Sequence, residues 1–169
     1  MTCIAPTGTI SLIAGVSSGI EPFFALALAR RVFDGERLIE VNPLVQVELE
    51  RLNGAGKHAL EAIRETGSLR HIKDLPETLR RRFPIALEIA PVWHVRMQAA
   101  FQAHVDAAVS KTVNLPPDAP VNAVRDVFTL ARKLRLKGIT AYRYGSRTDQ
   151  TLSLIDEEGA RPDCRECAV

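Results

Sequence analysis

The second half of the chain alternates between helical and strand-like segments, and this alternation restricts the fold more than any other feature. Residues 91–109 and 121–136 carry apolar side chains near helical spacing, whereas residues 112–115 and 139–144 resemble strands. Strands that alternate with helices in this way usually pair in parallel. The pattern therefore predicts an α/β fold.

The first half predicts one hairpin and several short helices. Asp34-Gly35 is a strong turn signal between two short strands. Asn42-Pro43 has the composition of a helix start, and we expect Asn53-Gly54 to end that helix. Residues 58–65 and 76–83 predict two further helices.

A short strand is also predicted at residues 3–5, followed by a turn and a brief helix that Gly15 can close. Because little sequence precedes this strand, we expect its partners to lie on another chain or on a missing segment. Residues 1–147 are interpreted as one domain. Residues 148–169 are polar and aperiodic and are interpreted as a flexible tail.

Composition excludes several classes of protein. The chain is 46% hydrophobic and 25% charged with a net charge of +2, as expected of an ordinary soluble domain without the basic face that nucleic acid requires. The longest apolar stretch, residues 22–29, is too short to cross a membrane, which needs about 20 residues. Sparse cysteines and the lack of a secretory signal favour a cytoplasmic location.

Residues 6–11 (PTGTIS) place a turn rich in hydroxyl groups before a helix. A helix N-terminus presents unpaired amides that can hold a phosphate, and Gly8 would let the backbone approach such a ligand. The lysine of a P-loop is absent. From the residues alone, a plain capped helix start explains the segment more often than a phosphate site does.

Residues 5–11 (APTGTIS) and 17–22 (SSGIEP) resemble the substrate-phosphate loop and the following segment of ribonucleotide reductase catalytic subunits. Residues 91–102, 109–116 and 137–143 resemble three further blocks of that family, in the family's order. The resemblance implies the C-terminal portion of the family's ten-stranded α/β barrel, which is incomplete on its own.

The resemblance also implies roles for particular residues. The backbone amides of Thr7, Gly8, Thr9 and Ile10, with the threonine hydroxyls, would hold the phosphates of a ribonucleotide. The reaction would convert ribonucleotides to 2'-deoxyribonucleotides by thiyl-radical chemistry. Its radical cysteine would come from an N-terminal remainder of the enzyme, so we expect this chain to be inactive alone. Cys3 does not match a catalytic cysteine of the family, and a small buried residue is its expected role.

The class of reductase follows from the last predicted strand. Enzymes that take their radical from an iron-containing subunit carry adjacent tyrosines there, whereas this chain has Thr140 and Ala141. The segment around them is closer to the adenosylcobalamin-dependent (class II) members. The resemblance therefore implies adenosylcobalamin, bound mostly by sequence outside this chain.

Other candidate residues receive plainer interpretations. His94 and His104 lack the i, i+4 spacing of a metal-binding pair, so packing or exposure is expected and no metal site is predicted. Glu21 is expected to order the start of the hairpin. Cys164 and Cys167 form a C-x-x-C pair; the resemblance allows a redox shuttle served by a thioredoxin-like protein, half of a zinc ribbon, or no function.

Two alternatives to a reductase segment stay open at this point. The chain could be a stand-alone nucleotide-binding module that kept the fold without catalysis. It could also be an inactive remnant of a broken gene, whose exposed sheet edges would make it unstable.

Overall fold

A computed structural model describes residues 1–31 and 37–146, which belong to two compact units. Unit 1 combines residues 1–24 with residues 85–146, and unit 2 contains the described part of residues 25–84. The Asp34-Gly35 turn, the tail after residue 147 and the Cys164 and Cys167 pair lie outside the described residues.

The described residues form six α-helices and four strands. In chain order they are α1 (Gly8–Ala14), β1 (Ala27–Arg31), β2 (Arg37–Val41), α2 (Pro43–Glu50), α3 (Asn53–Thr66), α4 (Glu77–Arg82), α5 (Pro91–Gln102), β3 (Thr112–Leu115), α6 (Val121–Lys133) and β4 (Thr140–Arg143). A short 3₁₀ helix, Ala86–Glu88, precedes α5. Within the described part of the chain, every helix falls short of the length and apolarity that a membrane span would need.

Unit 1 contains the parallel strands that the sequence predicts. β3 pairs with β4 in parallel, from Thr112 opposite Thr140 to Leu115 opposite Arg143. Ile4 forms an isolated parallel bridge with Val109. The expectation that residues 3–5 find their partners outside the chain is therefore wrong for this one partner, which the segment just before β3 provides.

The core of unit 1 lies between these strands and the two longer helices of the unit. Its members are buried aliphatic side chains from α5, β3, α6 and the loop before α6: Val95, Val113, Leu115, Ala119, Val127 and Ala131. Alternate residues of β3 are buried, as expected when one face of a strand packs against helices.

Helix α5 differs from its prediction in length and in its buried face. It ends at Gln102 rather than continuing to Val109. Phe101, one of the apolar side chains at helical spacing in residues 91–109, is 40% exposed, whereas Gln98 is 1% exposed. The Nε2 atom of Gln98 donates to the carbonyl oxygens of Val109 and Gly138, at 3.0 and 2.8 Å. This polar side chain is buried because its amide group donates to two backbone carbonyl oxygens, which would otherwise be buried without a hydrogen-bond partner.

Unit 2 contains an antiparallel hairpin of β1 and β2, with Ala27 opposite Val41, and α3 packs against both strands and α2. Asn42 caps α2, because its Oδ1 atom accepts hydrogen bonds from the amides of Leu44 and Val45. The prediction that Asn53-Gly54 ends α2 is wrong, since α2 stops at Glu50 and Asn53 begins α3.

Candidate functional site

The four residues predicted to hold phosphate lie at the N-terminal end of α1. Thr7 precedes the helix with a φ of +48°, and Gly8, Thr9 and Ile10 form its first turn. Thr7 is half-buried, whereas the other three residues are exposed. The first amides of an α-helix have no intrahelical partner, so this exposed turn offers N–H donors to an anion.

Thr7 is held in an unusual backbone conformation by a second segment. A positive φ is strained for a β-branched residue. The amide of Gly19 donates to Thr7 Oγ1 at 2.8 Å, and the Thr7 carbonyl accepts from the Ser11 amide at 3.0 Å. The Gly19 contact uses Oγ1 as an acceptor, so the threonine hydroxyl can still donate its proton to a ligand.

Gly19 is suited to this contact because it has no side chain. Its φ is +51°, and a Cβ at this position would lie 2.9 Å from the carbonyl oxygen of Ala5. Gly8 is different, since a Cβ there would meet no described atom within 4 Å and its φ is not positive. The glycine at position 8 is therefore not required by the packing of the chain itself.

A buried polar cluster consists of Glu21, Lys111 and His94. Lys111 and His94 are 4% and 2% exposed, and Glu21 is partly buried. Lys111 Nζ lies 2.5 Å from Glu21 Oε2, 2.8 Å from His94 Nδ1 and 2.7 Å from the carbonyl oxygen of Thr112. The other Glu21 oxygen accepts from the Thr112 amide at 2.5 Å. The cluster thus joins the segment after α1 to α5 and to the start of β3.

The hydrogen bonds of this cluster define its protonation. Three acceptors surround Nζ, which matches the three N–H donors of a lysine ammonium. His94 Nδ1 must then be unprotonated, so Nε2 carries the proton and donates to the Ala86 carbonyl oxygen at 3.1 Å. Burial lowers the pKa of His94, and the positive charge of Lys111 lowers it further. Burial also lowers the pKa of Lys111, although Glu21 opposes that change.

The neutral state of His94 leads to a pH-dependent stability. Its pKa in the folded chain lies below the ordinary value of 6.5. Below pH 6.5 the unfolded chain therefore binds more protons at this residue than the folded chain does. The contribution of His94 to the free energy of unfolding is complete above that pH and decreases as the pH falls towards the folded-state pKa.

Urea denaturation between pH 8 and about pH 5.5 measures this effect. We expect His94→Gln to flatten the decrease in stability that the wild type shows below pH 6.5. His104→Gln is the matched control, because it removes an exposed imidazole. Identical pH profiles for the wild type and His94→Gln would contradict the assignment.

Cys3 and Glu21 differ from the roles that the sequence predicts for them. Cys3 is exposed, so the expected buried role is wrong; its neighbour Ile4 forms the bridge to Val109, and adjacent residues of a strand point to opposite sides. Glu21 was expected to order the hairpin, but its carboxylate bonds to Lys111 and to the Thr112 amide instead. Lys111 and Gly19 were missed, although both lie inside the blocks that carry the family resemblance.

The histidines behave as the plainer interpretation predicts. His94 is buried and uses both ring nitrogens in contacts with protein atoms, and His104 is exposed. Among residues 1–31 and 37–146 there is no group of three His, Cys, Asp or Glu side chains that could hold a metal ion.

Comparisons with known proteins agree with this architecture. Residues 1–142 match the family described as "Ribonucleotide reductase, barrel domain". The vitamin B12-dependent ribonucleoside-diphosphate reductase of Mycobacterium tuberculosis is 54% identical over 154 residues, which are 90% of this chain and 22% of that protein. The enzyme of the same name from Thermoplasma acidophilum is 44% identical over 98% of this chain and 21% of its own length.

A solved structure gives the same result for the fold. The class Id ribonucleotide reductase alpha subunit of Actinobacillus ureae superposes with a TM-score of 0.63 and 19% identity, over 83% of this chain and 25% of that one. The chain spans about a fifth of the length of the reductases from M. tuberculosis and T. acidophilum. Residues 1–31 and 37–146 have the α/β fold of part of the reductase barrel and do not close a barrel among themselves, and the chain belongs to the ribonucleotide reductase family.

Proposed function

We propose that this chain is part of a vitamin B12-dependent enzyme that reduces ribonucleotides to 2'-deoxyribonucleotides by thiyl-radical chemistry, and that it supplies the substrate-phosphate loop. The observation that carries the proposal is the conformation of Thr7, which Gly19 holds at a positive φ directly before the exposed first turn of α1. Strained residues of this kind concentrate at ligand-binding sites. The names of the relatives from M. tuberculosis and T. acidophilum support the reaction and a diphosphate substrate.

The loop can bind a phosphate in a simple way. The amides of Gly8, Thr9 and Ile10 lie at the positive end of the α1 dipole and can donate to phosphate oxygens. The Thr7 hydroxyl can add a further donor, because its oxygen is oriented by the Gly19 amide. The open space next to Gly8 lets a ligand approach the backbone. These groups would fix the position of the ribose relative to the reacting cysteine.

Other parts of the reaction require sequence outside this chain. Cys3 is the one cysteine among the described residues, and it does not match a radical cysteine of the family. A cobalamin is not accommodated by the cluster around His94, since both nitrogens of this buried imidazole are already engaged. We therefore assign adenosylcobalamin and the radical cysteine to an N-terminal remainder of the enzyme. The assembly is proposed to act in the cytoplasm, and the chain alone is proposed to be inactive.

The C-x-x-C pair is proposed to regenerate the enzyme. Cys164 and Cys167 follow the barrel segment in a polar stretch of sequence. A dithiol there could exchange with a disulfide left in the active site after each turnover and then be reduced by a thioredoxin-like protein. In this exchange the pair becomes a disulfide while the active-site disulfide becomes two thiols.

Gly8→Val tests the phosphate loop. A Cβ at this position would meet no described atom within 4 Å, so we expect the variant to fold, but the valine side chain would obstruct the approach of a phosphate. In the assembled reductase we expect the affinity for a ribonucleoside diphosphate to fall about tenfold or more, the loss of at least one charge-assisted hydrogen bond. Isothermal titration with the diphosphate measures the change.

Gly54→Val is the matched control for this substitution. Gly54 also lies in the first turn of a helix, α3, and a Cβ there would meet no described atom within 4 Å. The control should keep the wild-type affinity. Unchanged affinity in a folded Gly8→Val assembly would remove the phosphate loop from the proposal.

A further inference from the structure

The Glu21, Lys111 and His94 cluster is connected to the phosphate loop by a short, tightly bonded turn. The Glu21 amide donates to the Ser18 carbonyl oxygen at 2.8 Å and closes a turn over residues 18–21. Gly19, within this turn, donates its amide to Thr7 Oγ1. The carboxylate that ends the turn is fixed by Lys111 and by the Thr112 amide. Three hydrogen bonds, linked through Glu21 and through the Ser18–Gly19 peptide group, therefore connect the start of β3 to Thr7.

We propose that Glu21 and Lys111 are positioning residues for the substrate phosphate, because they fix the turn whose Gly19 amide orients the Thr7 hydroxyl. The inference rests on the proposed phosphate loop and names the groups that hold that loop in its binding conformation. Neither residue needs to touch the ligand. His94 contributes by accepting the third hydrogen of the Lys111 ammonium, which fixes the direction of the remaining two.

The chemistry of the cluster favours positioning over simple stabilisation. Burying a charged pair costs solvation, and well-packed apolar residues often stabilise a core equally well. A buried pair does, however, define one arrangement of the segments that it joins, which is its best-attested use. Here the joined segments are β3 and the turn that contacts Thr7. Thr7 needs such support, because its positive φ is unfavourable for a threonine.

A double-mutant cycle in the assembled reductase tests the inference. Thr7→Val removes the hydroxyl while keeping the shape of the side chain, and Glu21→Gln removes the charge that Lys111 binds. Each single variant is expected to weaken the binding of a ribonucleoside diphosphate about tenfold. Because Glu21 acts through Thr7, the double variant should bind no more weakly than Thr7→Val alone. A residue that only stabilised the fold would leave the affinity of the folded assembly unchanged, and one that acted on the ligand independently of Thr7 would give losses that multiply.

Matched variants keep the result interpretable. Glu48→Gln removes a carboxylate in unit 2 that is 29% exposed and pairs with Arg82 at 3.2 Å, and it should leave the affinity unchanged. If Glu21→Gln does not fold, Gly19→Ala breaks the same path at its other end, because a Cβ there would press against the Ala5 carbonyl oxygen. When Gly19→Ala is combined with Thr7→Val, the double variant should bind the ribonucleoside diphosphate no more weakly than Thr7→Val alone.

The outcomes separate the inference from the proposed function. Weaker binding by Thr7→Val together with unchanged binding by Glu21→Gln, or with multiplying losses, would overturn the positioning role and leave the phosphate loop intact. Unchanged binding by both Thr7→Val and Gly8→Val would overturn the phosphate loop and the positioning role together. Equal losses of affinity in Thr7→Val and Glu21→Gln, with no further loss in the double variant, would support both the phosphate loop and the positioning role.

Discussion

Lys111→Met is expected to lower the free energy of unfolding of unit 1 by about 3 kcal/mol, near the lower end of the range for breaking one partner of a buried ion pair. The substitution leaves the carboxylate of Glu21 with the Thr112 amide as its remaining described partner, and it leaves His94 Nδ1 without the ammonium. The Lys111 side chain is 1% exposed, whereas that of Glu21 is 21% exposed and can recover some solvation. This partial exposure is the reason for expecting the lower end of the range.

Urea denaturation followed by tryptophan fluorescence measures this change. Trp93 is the single tryptophan and belongs to unit 1, so its emission reports on the unit that contains the cluster. Lys73→Met is the control, because it makes the same replacement at an exposed position in unit 2. A Lys111→Met chain as stable as the control would show that the ion pair does not hold unit 1 together.

Replacing both Cys164 and Cys167 by serine is expected to abolish turnover with a thioredoxin-like reductant in the assembled reductase. Serine cannot form the disulfide through which electrons would pass to the active site. Activity with dithiothreitol should survive, since a small thiol can reach an active-site disulfide directly. Steady-state formation of deoxyribonucleotide with each reductant measures the difference.

The alternative zinc role gives a different result. Metal analysis would then find zinc on the wild-type protein and less on the double variant, because two cysteine ligands would be lost. Equal activity of the double variant with both reductants would end the redox assignment. Cys3→Ser is the matched control, because it removes an exposed cysteine that the proposal gives no redox role.

Periodicity predicted the main elements of unit 1 because their signals are local. β3, α6 and β4 follow from alternation or helical spacing, and their order predicts the parallel pairing of β3 with β4. The end of α5 was predicted seven residues late, since Val105 and Val109 continue the apolar spacing after the helix stops at Gln102. The burial of Gln98 depends on carbonyl groups that are distant in sequence, which no local pattern records.

The candidate site was predicted only in part for the same reason. The resemblance located residues 7–10, and the structure places them together at the start of α1. The support of this loop was not predicted, because Gly19 contacts a residue 12 positions away and Glu21 contacts one 90 positions away. In the sequence, a lysine that precedes a strand cannot be distinguished from an ordinary surface lysine. The three acceptors around the Lys111 ammonium are known only from the structure.

The closed set of hydrogen bonds around Lys111 also has an evolutionary consequence. Its ammonium uses every donor, and its partners lie on segments that are 90 and 17 positions away in the chain. A single substitution at Glu21, Lys111 or His94 leaves a buried charge or a ring nitrogen without its partner. Joint replacement of the three residues by apolar residues leaves no such unpaired group. Natural variants should therefore keep all three residues or exchange them together, so that the three positions show strong epistasis.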